Sequence, residues 1–267
     1  MSLIFCPLFS GSTGNAAFVA TEHTRLLVDA GVTSAQLVRA LEAVGCSLGE
    51  LDGILVTHEH IDHMKGLGVL ARRHGIRIYA NPLTWIAMEV SGKLGDIPQR
   101  CRVTYESGKD FALGDLRIAP LPTSHDAADP SGYLLEGGGR RVAVATDTGV
   151  VPRPLMEALT GADAVLLEAN HDEGMLAMNP NYPARLKERI LGKKGHLSNR
   201  TAGETAAELV RRGVPRIALG HLSQHNNTPE LAFDTVSELL LAADIRPGRD
   251  VELALTWPDR LGHPWVL

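Results

Sequence analysis

The chain has 267 residues, a formal net charge of −5 and 44% hydrophobic residues, a composition typical of a soluble globular enzyme. No apolar stretch reaches the roughly 18 residues of a membrane span, and the amino terminus lacks the basic region of a signal peptide. The acidic excess argues against a protein held to nucleic acid by its net charge. Histidine is unusually frequent, at 11 residues beside 5 phenylalanines and 4 tyrosines.

Short apolar runs rich in β-branched residues alternate with helical patterns along the chain, which predicts an α/β fold. Eight runs predict strands, at residues 26–28, 54–57, 76–79, 116–119, 142–146, 164–167, 217–219 and 251–255. Helices are expected at 35–44, at 199–212 and from an N-cap at Thr228 to about Ala243. Between Tyr79 and Leu116 we expect a helix followed by irregular cover. No linker composition marks a boundary, so we expect one domain over residues 1–267.

The three cysteines predict neither a disulfide framework nor a cysteine-rich zinc site. Cys6, Cys46 and Cys101 are odd in number, far apart and free of any CxxC pattern. We interpret them as small buried hydrophobic residues. A reducing, cytoplasmic compartment fits this usage best.

The strand at 54–57 runs directly into the sequence His58-Glu59-His60-Ile61-Asp62-His63. Residues two apart in an extended segment point the same way, so His58 and His60 can share one metal ion. If a helix then begins, Asp62 and His63 turn toward a second metal ion nearby. Imidazole and carboxylate ligands suit Zn²⁺, and also Mn²⁺ or Fe. The pattern therefore predicts a centre of two divalent metal ions.

Three more candidate ligands each follow a predicted strand. His125 follows the run at 116–119, Asp147 the run at 142–146 and His221 the run at 217–219. Open α/β sheets place their functional groups at such strand ends. A surface turn would explain each one alone, but the repeated placement beside the histidine cluster favours a shared site.

The order of these motifs resembles the metallo-β-lactamase superfamily over nearly the whole chain. The resemblance implies a four-layer αββα sandwich with two metal ions at one edge of the sheets. It implies that one metal ion is held by His58, His60 and His125. It implies that the other is held by Asp62, His63 and His221, and that Asp147 bridges the two ions. Asp29, in LLVDAG, matches an aspartate that orients the site without binding metal.

Sequence details resemble the nuclease and phosphodiesterase branch that contains RNase Z. Two-metal lactamases place a cysteine where Asp147 stands, and glyoxalase-type thioesterases surround the third histidine with a T-P-G-H segment that Thr-Ser-His125 lacks. Gly195-His196-Leu197-Ser198 resembles the H-S/T motif of the branch. That resemblance implies a His196 that lies beside the scissile phosphate without binding metal.

Segments outside the ligands resemble the YycJ (WalJ) family of small bacterial proteins. They include SGSTGN after the first strand, EANHDEGML and KKGHLSN. Members are regarded as DNA exonucleases, proposed to degrade double-stranded DNA from 5′ to 3′. The resemblance implies a nucleic-acid partner, DNA rather than RNA. An RNase Z-like ribonuclease and a small or cyclic phosphodiesterase remain alternatives, and a non-phosphodiester hydrolase or a non-catalytic metal-binding protein is less favoured.

A basic segment leads into His196 and favours a polyanionic substrate. Residues 183–200 contain six basic residues against one acidic residue, in a chain of net charge −5. Five of the basic residues are candidates for contacts to phosphate: Arg185, Lys187, Arg189, Lys193 and Lys194. A solvated helix face is the alternative interpretation. The small residues of Ser10–Asn15 are open to two interpretations, a phosphate cradle or an ordinary tight turn.

These residues together predict metal-assisted hydrolysis of a phosphodiester. Asp62 would hold the attacking water and accept its proton, and His196 would stabilise the transition state or protonate the leaving oxygen. Asn170, His171 and Ser198 are candidates to orient His196 or the substrate, with an ordinary polar turn as the alternative for the first two. His225, Asn226 and Asn227 closely follow His221 and are candidates to line the cleft.

Overall fold

Two seven-stranded mixed sheets pack face to face in the computed structural model, which describes residues 2–267. The first sheet contains β1 (Ile4–Phe9), β2 (Ala16–Ala20), β3 (Arg25–Val28), β4 (Gly53–Leu55), β5 (Ile78–Ala80), β6 (Arg102–Thr104) and, beside β1, β14 (Trp265–Val266). The second contains β7 (Phe111–Leu113), β8 (Leu116–Pro122), β9 (Ser131–Gly137), β10 (Arg140–Ala145), β11 (Ala164–Glu168), β12 (Arg216–Gly220) and β13 (Glu252–Leu255).

Helices cover the outer face of each sheet, and the three helices whose bounds were predicted begin and end close to those bounds. The helices α1 (Ser34–Ala43), α2 (Ile61–Met64), α3 (Leu67–His74) and α4 (Pro82–Ser91) pack on the first sheet. The helices α5 (Arg153–Leu159), α8 (Asn199–Arg211) and α9 (Pro229–Ala242) pack on the second, and α6 (Glu173–Met178) and α7 (Ala184–Leu191) lie between α5 and α8 in the chain. The predicted four-layer αββα sandwich is confirmed.

Alternation along the strands builds the core between the layers. In β3, Leu27 joins the cluster under the helices of the first sheet, whereas Leu26 and Val28 join the cluster between the two sheets. From the second sheet, Val144 and Leu166 face into the same central cluster. This two-residue periodicity buries both faces of the strands, which is why they read as continuous apolar runs.

The segment between Tyr79 and Leu116 differs from the prediction. The helix is present as α4, but the expected irregular cover contains the edge strands β6 and β7. Each has only three residues, too few to show a periodicity, and β6 pairs with β5 while β7 pairs with β8. Pairing with a neighbouring strand, which the local sequence does not reveal, makes them strands.

Parallel neighbours bring the predicted site to one edge. The strands β3 and β4 are parallel in the first sheet, and β10, β11 and β12 are parallel in the second. The carboxyl ends of parallel neighbours meet at the same edge of a sheet, and there the chain carries its strand-end polar residues.

The three cysteines are buried and free within the described residues. Burial raises the pKa of the Cys6 and Cys46 thiols to about 11, so these thiols are protonated near neutral pH. Across residues 2–267, no helix combines the length and the apolar character that crossing a membrane requires.

Candidate metal centre

The loop after β4 carries His58 and His60, and the short helix α2 that follows carries Asp62 and His63. The strand itself ends at Leu55, earlier than its apolar run suggests. His60 is the N-cap of the short helix α2, so Asp62 lies in the first helical turn. His58 and His63 are buried, and the side chain of Asp62 is 20% exposed. The turn from strand to helix thus presents four ligand-type side chains within six residues.

Side chains from both sheets place all seven predicted ligands together. Ligand atoms lie within 4.8 Å of one another in each of three groups: His58, His60 and His125; Asp62, His63 and His221; and His58, His63 and Asp147. The Asp147 carboxylate lies 3.3 Å from Nε2 of His63 and 3.6 Å from Nε2 of His125. Asp147 therefore lies between the other two groups, the position that a bridging ligand needs.

Two buried atoms in this cluster indicate that the residues fit a metal centre. Nε2 of His58 and Oδ2 of Asp147 have no hydrogen-bond partner among residues 2–267. Buried polar atoms are nearly always paired, so two orphans side by side point to a ligand. The nitrogen and oxygen donors of this cluster suit a divalent cation such as Zn²⁺ or Mn²⁺.

Asp29 holds His63 in place from behind. Its carboxylate accepts the Nδ1–H of His63 at 2.8 Å and both the backbone N–H and the hydroxyl of Thr57 at 2.8 Å. Nε2 of His63 lies on the side of the centre, 3.1 Å from the amide nitrogen of Asn15, and a carboxylate on Nδ1 is typical of metal-binding histidines. A Cβ on Gly31 would lie 1.6 Å from the carbonyl oxygen of Asp62, so only glycine lets the α2 turn approach this closely.

His125 and His60 meet through ring nitrogens. Nδ1 of His125 donates to the carbonyl of Gly195 at 3.0 Å, which leaves its Nε2 only 3.3 Å from Nδ1 of His60. Two imidazole nitrogens at this separation can bind one ion. The bond to Gly195 also ties His125 to the residue that precedes His196.

The backbone is strained at three residues of the site. Asp29, Asp147 and His221 have positive φ values of 65°, 56° and 53°, and Asp244 is the fourth such non-glycine residue in the described chain. This left-handed conformation costs energy for residues with a Cβ, although Asp and His tolerate it better than most. It turns the chain sharply at the strand ends where these side chains are needed.

Glu168, which the sequence analysis missed, lies at the centre of the hydrogen bonds behind the site. Its Oε1 accepts Nδ1–H of His196 at 2.7 Å and Nδ1–H of His221 at 2.8 Å. Its Oε2 accepts the backbone N–H groups of Thr148 and Leu197 at 2.9 and 3.2 Å. The side chain is fully buried. A carboxylate that directly ends an apolar strand is the signal that could have identified it.

Glu168 replaces the residues that were predicted to orient His196. Asn170 lines the cleft, but its amide donates to the carbonyl of His221 at 2.8 Å. His171 is buried, and neither of its ring nitrogens has a partner among the described residues. The carboxylate of Glu168, and not Asn170 or His171, therefore orients His196. That Asn170 and His171 orient the substrate stays a prediction.

Ser198 has a structural role. Its hydroxyl caps α8 by accepting the N–H of Thr201 at 3.2 Å, and it donates to Glu173 at 2.8 Å. The residue is buried. A hydroxyl engaged in this way caps a helix and forms no hydrogen bond to His196, whereas its contact to the substrate stays a prediction.

The protonation states follow from burial and from the carboxylates. Burial lowers the pKa of His58 and of His60, which keeps both imidazoles neutral. Burial also acts to lower the pKa of His63 and His221, but carboxylates, chiefly that of Asp147, raise it more. The pKa of His63 ends well above its usual value, and that of His221 rises to about 10.

We expect zinc binding near pH 7 to release protons, and the apparent affinity to increase as the pH is raised. In the metal-free protein the neighbouring carboxylates favour the protonated form of His63 and His221, because they raise the pKa of each above that of an ordinary histidine. A metal ion binds only the neutral imidazole, so these protons must leave. Calorimetric titration in two buffers of different ionisation enthalpy measures the release. Equal heats in both buffers would contradict the expectation.

A cleft of about 210 Å³ opens over the centre. His60, Asp62, His125, Asp147, His196 and His221 line it. The opposite wall comes from Tyr182 and from α7, which contributes Arg189. In this structure the Arg189 guanidinium pairs with Asp126, beside His125.

The other predicted phosphate-binding cations lie farther out. Lys187 donates to the carbonyl of Ala177 at 2.6 Å, which fixes α7 to α6. Arg185, Lys193 and Lys194 are exposed, and Lys194 borders a neighbouring hollow next to His125. Of the five predicted cations, the structure brings only Arg189 to the cleft.

The Ser10–Asn15 loop is a tight turn that supports the ligands. The N–H of Gly11 donates to the side chain of Asn15 at 3.0 Å, and the N–H of Asn15 donates to the carbonyl of Asp62 at 2.8 Å. The hydroxyl of Ser10 accepts the N–H of His221 at 2.7 Å. Because these amides are used within the protein, they do not form the phosphate cradle considered from the sequence.

Comparison with known proteins adds independent information. The sequence matches the family described as the beta-lactamase superfamily domain over residues 24–221. It is 40% identical to exodeoxyribonuclease YycJ of Bacillus anthracis, covering 97% of both chains. It is also 40% identical to exodeoxyribonuclease WalJ of Streptococcus pneumoniae serotype 2, covering 94% of this chain and 93% of that one. The metallo-beta-lactamase fold protein YhfI of Bacillus subtilis superposes over the full length of both chains with a TM-score of 0.73 at 17% identity, which shows the shared fold.

Proposed function

We propose, since this chain belongs to the beta-lactamase superfamily and within it to the family of YycJ and WalJ, that it is a metal-dependent phosphodiester hydrolase acting as an exonuclease on DNA. The observation that carries the proposal is the convergence of the ligand groups and His196 on one cleft. The names of the two relatives support DNA over RNA as the substrate.

The ligand groups would hold two divalent metal ions, zinc in the first place, with manganese or iron as alternatives. His58, His60 and His125 would hold one ion, and Asp62, His63 and His221 the other. Asp147 would bridge them. When bound, the ions supply a water of lowered pKa and offset charge on the phosphoryl oxygens.

Four side chains would perform the remaining chemistry. Asp62, partly exposed in the cleft, would orient the attacking water and accept its proton. His196 gives its Nδ1–H to Glu168, which leaves Nε2 to protonate the leaving oxygen. The Glu168 carboxylate would stabilise the imidazolium form of His196, which carries the Nε2 proton that it gives to the leaving oxygen. Arg189 would bind a non-bridging phosphate oxygen, exchanging Asp126 for the substrate.

Further features extend the proposal. We place residues 1–267 in one hydrolase domain, because the site takes its residues from both sheets. The buried free cysteines support a reducing, cytoplasmic location. The family resemblance of the motifs supports attack on double-stranded DNA from the 5′ end.

A panel of substrates tests the proposal. With Zn²⁺ or Mn²⁺ supplied separately, we expect duplex DNA to be shortened from its 5′ end, and bis-p-nitrophenyl phosphate to be hydrolysed more slowly. Duplexes labelled at the 5′ or the 3′ end, single-stranded DNA and a tRNA precursor distinguish polarity and substrate. A strong chelator should stop turnover and added metal should restore it. Turnover that persists in the chelator would contradict the metal mechanism, and cleavage of the RNA alone would contradict the choice of DNA.

A further inference from the structure

A second hollow adjoins the cleft on the far side of Tyr182. It has a volume of about 420 Å³ and is lined by Met175 and Met178 of α6, by the turn that follows, and by His225. Tyr182 lines this hollow and the metal cleft alike. A chain of nucleotides leaving the cleft on this side would therefore pass over Tyr182 into the hollow.

The walls of the hollow suit a flat aromatic group with polar edges. The Tyr182 and His225 rings lie 6.3 Å apart, with an angle of 66° between their planes. Met178 is 83% exposed, which is unusual for a large apolar side chain next to an active-site cleft. Aromatic faces and thioethers bind planar rings well, and every nucleobase offers such a face.

Hydrogen bonds fix the hollow in its open shape. The amide of Asn179 donates to Asn226 at 2.6 Å, which joins the α6 turn to the loop that carries His225. The N–H of Asn181 donates to the side chain of Asn179 at 2.9 Å. A preformed wall loses little freedom when a ligand binds, so an aromatic guest gains most of the stacking energy.

Charge near the hollow matches a nucleic-acid strand. Arg185 lies in the first turn of α7, three residues after Tyr182, and is exposed. It forms no ion pair within the described part of the chain, unlike Arg189. An exposed guanidinium three residues from Tyr182 is available to bind the phosphate that follows the bound base.

We propose that this hollow is a nucleobase subsite, in which Tyr182 stacks on the base next to the scissile phosphate and His225 and Met178 form its sides. The subsite rests on the proposed function, because it requires a nucleic-acid strand in the cleft. Stacking recognises the face of the base, so it tolerates any sequence.

Matched variants and a matched substrate test the subsite. For Tyr182→Ala we expect the KM for a DNA duplex to rise about tenfold or more, a larger effect than on bis-p-nitrophenyl phosphate, which has no base. Tyr182→Phe keeps the ring and should restore the wild-type value. Val90→Ala, which alters an exposed apolar residue on α4, is the control and should change the KM for neither substrate. Equal effects of Tyr182→Ala on both substrates, or none, would overturn the proposal.

Removing the base provides the complementary test. The protein that keeps Tyr182 should bind a duplex with abasic sites at the two terminal nucleotides about tenfold more weakly than the intact duplex. The Tyr182→Ala variant should bind the two duplexes equally. Binding is measured by fluorescence anisotropy in an Asp62→Asn background, which separates this result from turnover. If wild type hydrolyses no phosphodiester, the proposed function fails while the anisotropy still decides the subsite. If the protein that keeps Tyr182 binds the abasic and the intact duplex equally, the subsite proposal is overturned.

Discussion

Replacing Asp147 by asparagine should reduce phosphodiester hydrolysis about a thousandfold or more while the protein stays folded. The carboxylate lies between the two ligand groups and has a buried oxygen without a protein partner. Losing several kcal/mol of transition-state stabilisation corresponds to such a factor. Asparagine is preferable to alanine here, because it keeps the size of the side chain and tolerates the positive φ of 56°.

Two measurements accompany this variant. Metal content, determined by mass spectrometry of the purified protein, should fall together with the rate, and the thermal unfolding of the chelated proteins should be similar. Asp163→Asn, which removes a partly exposed carboxylate paired with Arg140, is the matched control and should leave rate and metal content unchanged. An Asp147→Asn protein with wild-type turnover would exclude Asp147 as a bridging ligand.

Replacing Glu168 by glutamine should reduce hydrolysis about 10- to 100-fold and destabilise the protein by about 1–3 kcal/mol. The four hydrogen bonds to this carboxylate all come from donors. A glutamine side chain has one oxygen and one NH₂ group, so its NH₂ must face two of these four donors. Buried donor groups then point at each other without an acceptor. His196 and His221 lose a common acceptor, so both the proposed proton donor and a proposed metal ligand shift.

The pH dependence offers a separate readout for Glu168. Burial raises the pKa of Glu168, but the bonds from His196 and His221 lower it more, to about 2, below the usual 4.5. A depressed carboxyl pKa stabilises the folded state above pH 4.5, and this contribution is lost as the pH falls toward 2. The free energy of unfolding of the Glu168→Gln protein should therefore lack the part that wild type loses as the pH falls from 4.5 toward 2. Glu208→Gln, an exposed residue paired with Arg212, serves as the control. Unchanged rate and unchanged acid unfolding would contradict the positioning role.

The amino-acid sequence by itself determined the chemistry of the ligands. His58, His60, Asp62 and His63 are close in space because they are close in the chain, at the turn from a strand to a helix. Their spacing alone predicts donors that point to two neighbouring ions. The placement of His125, Asp147 and His221 after apolar runs also follows from the sequence, because strands that run in the same direction within a sheet end at the same edge. Eight apolar runs likewise predicted strands that the structure contains.

Only the tertiary structure decided which residues support and surround these ligands. Glu168 bonds to His196 and His221 across 28 and 53 residues of chain, a pairing that no local pattern encodes. The same holds for the Asp126–Arg189 pair, across 63 residues, which selects one cation of the basic segment for the cleft. Ligand type is a property of single residues and short spacings, whereas the choice of partner depends on how two sheets and their helices pack. The sequence therefore determined what the site can bind, and the packing of the layers decided how it is held and what lies beside it.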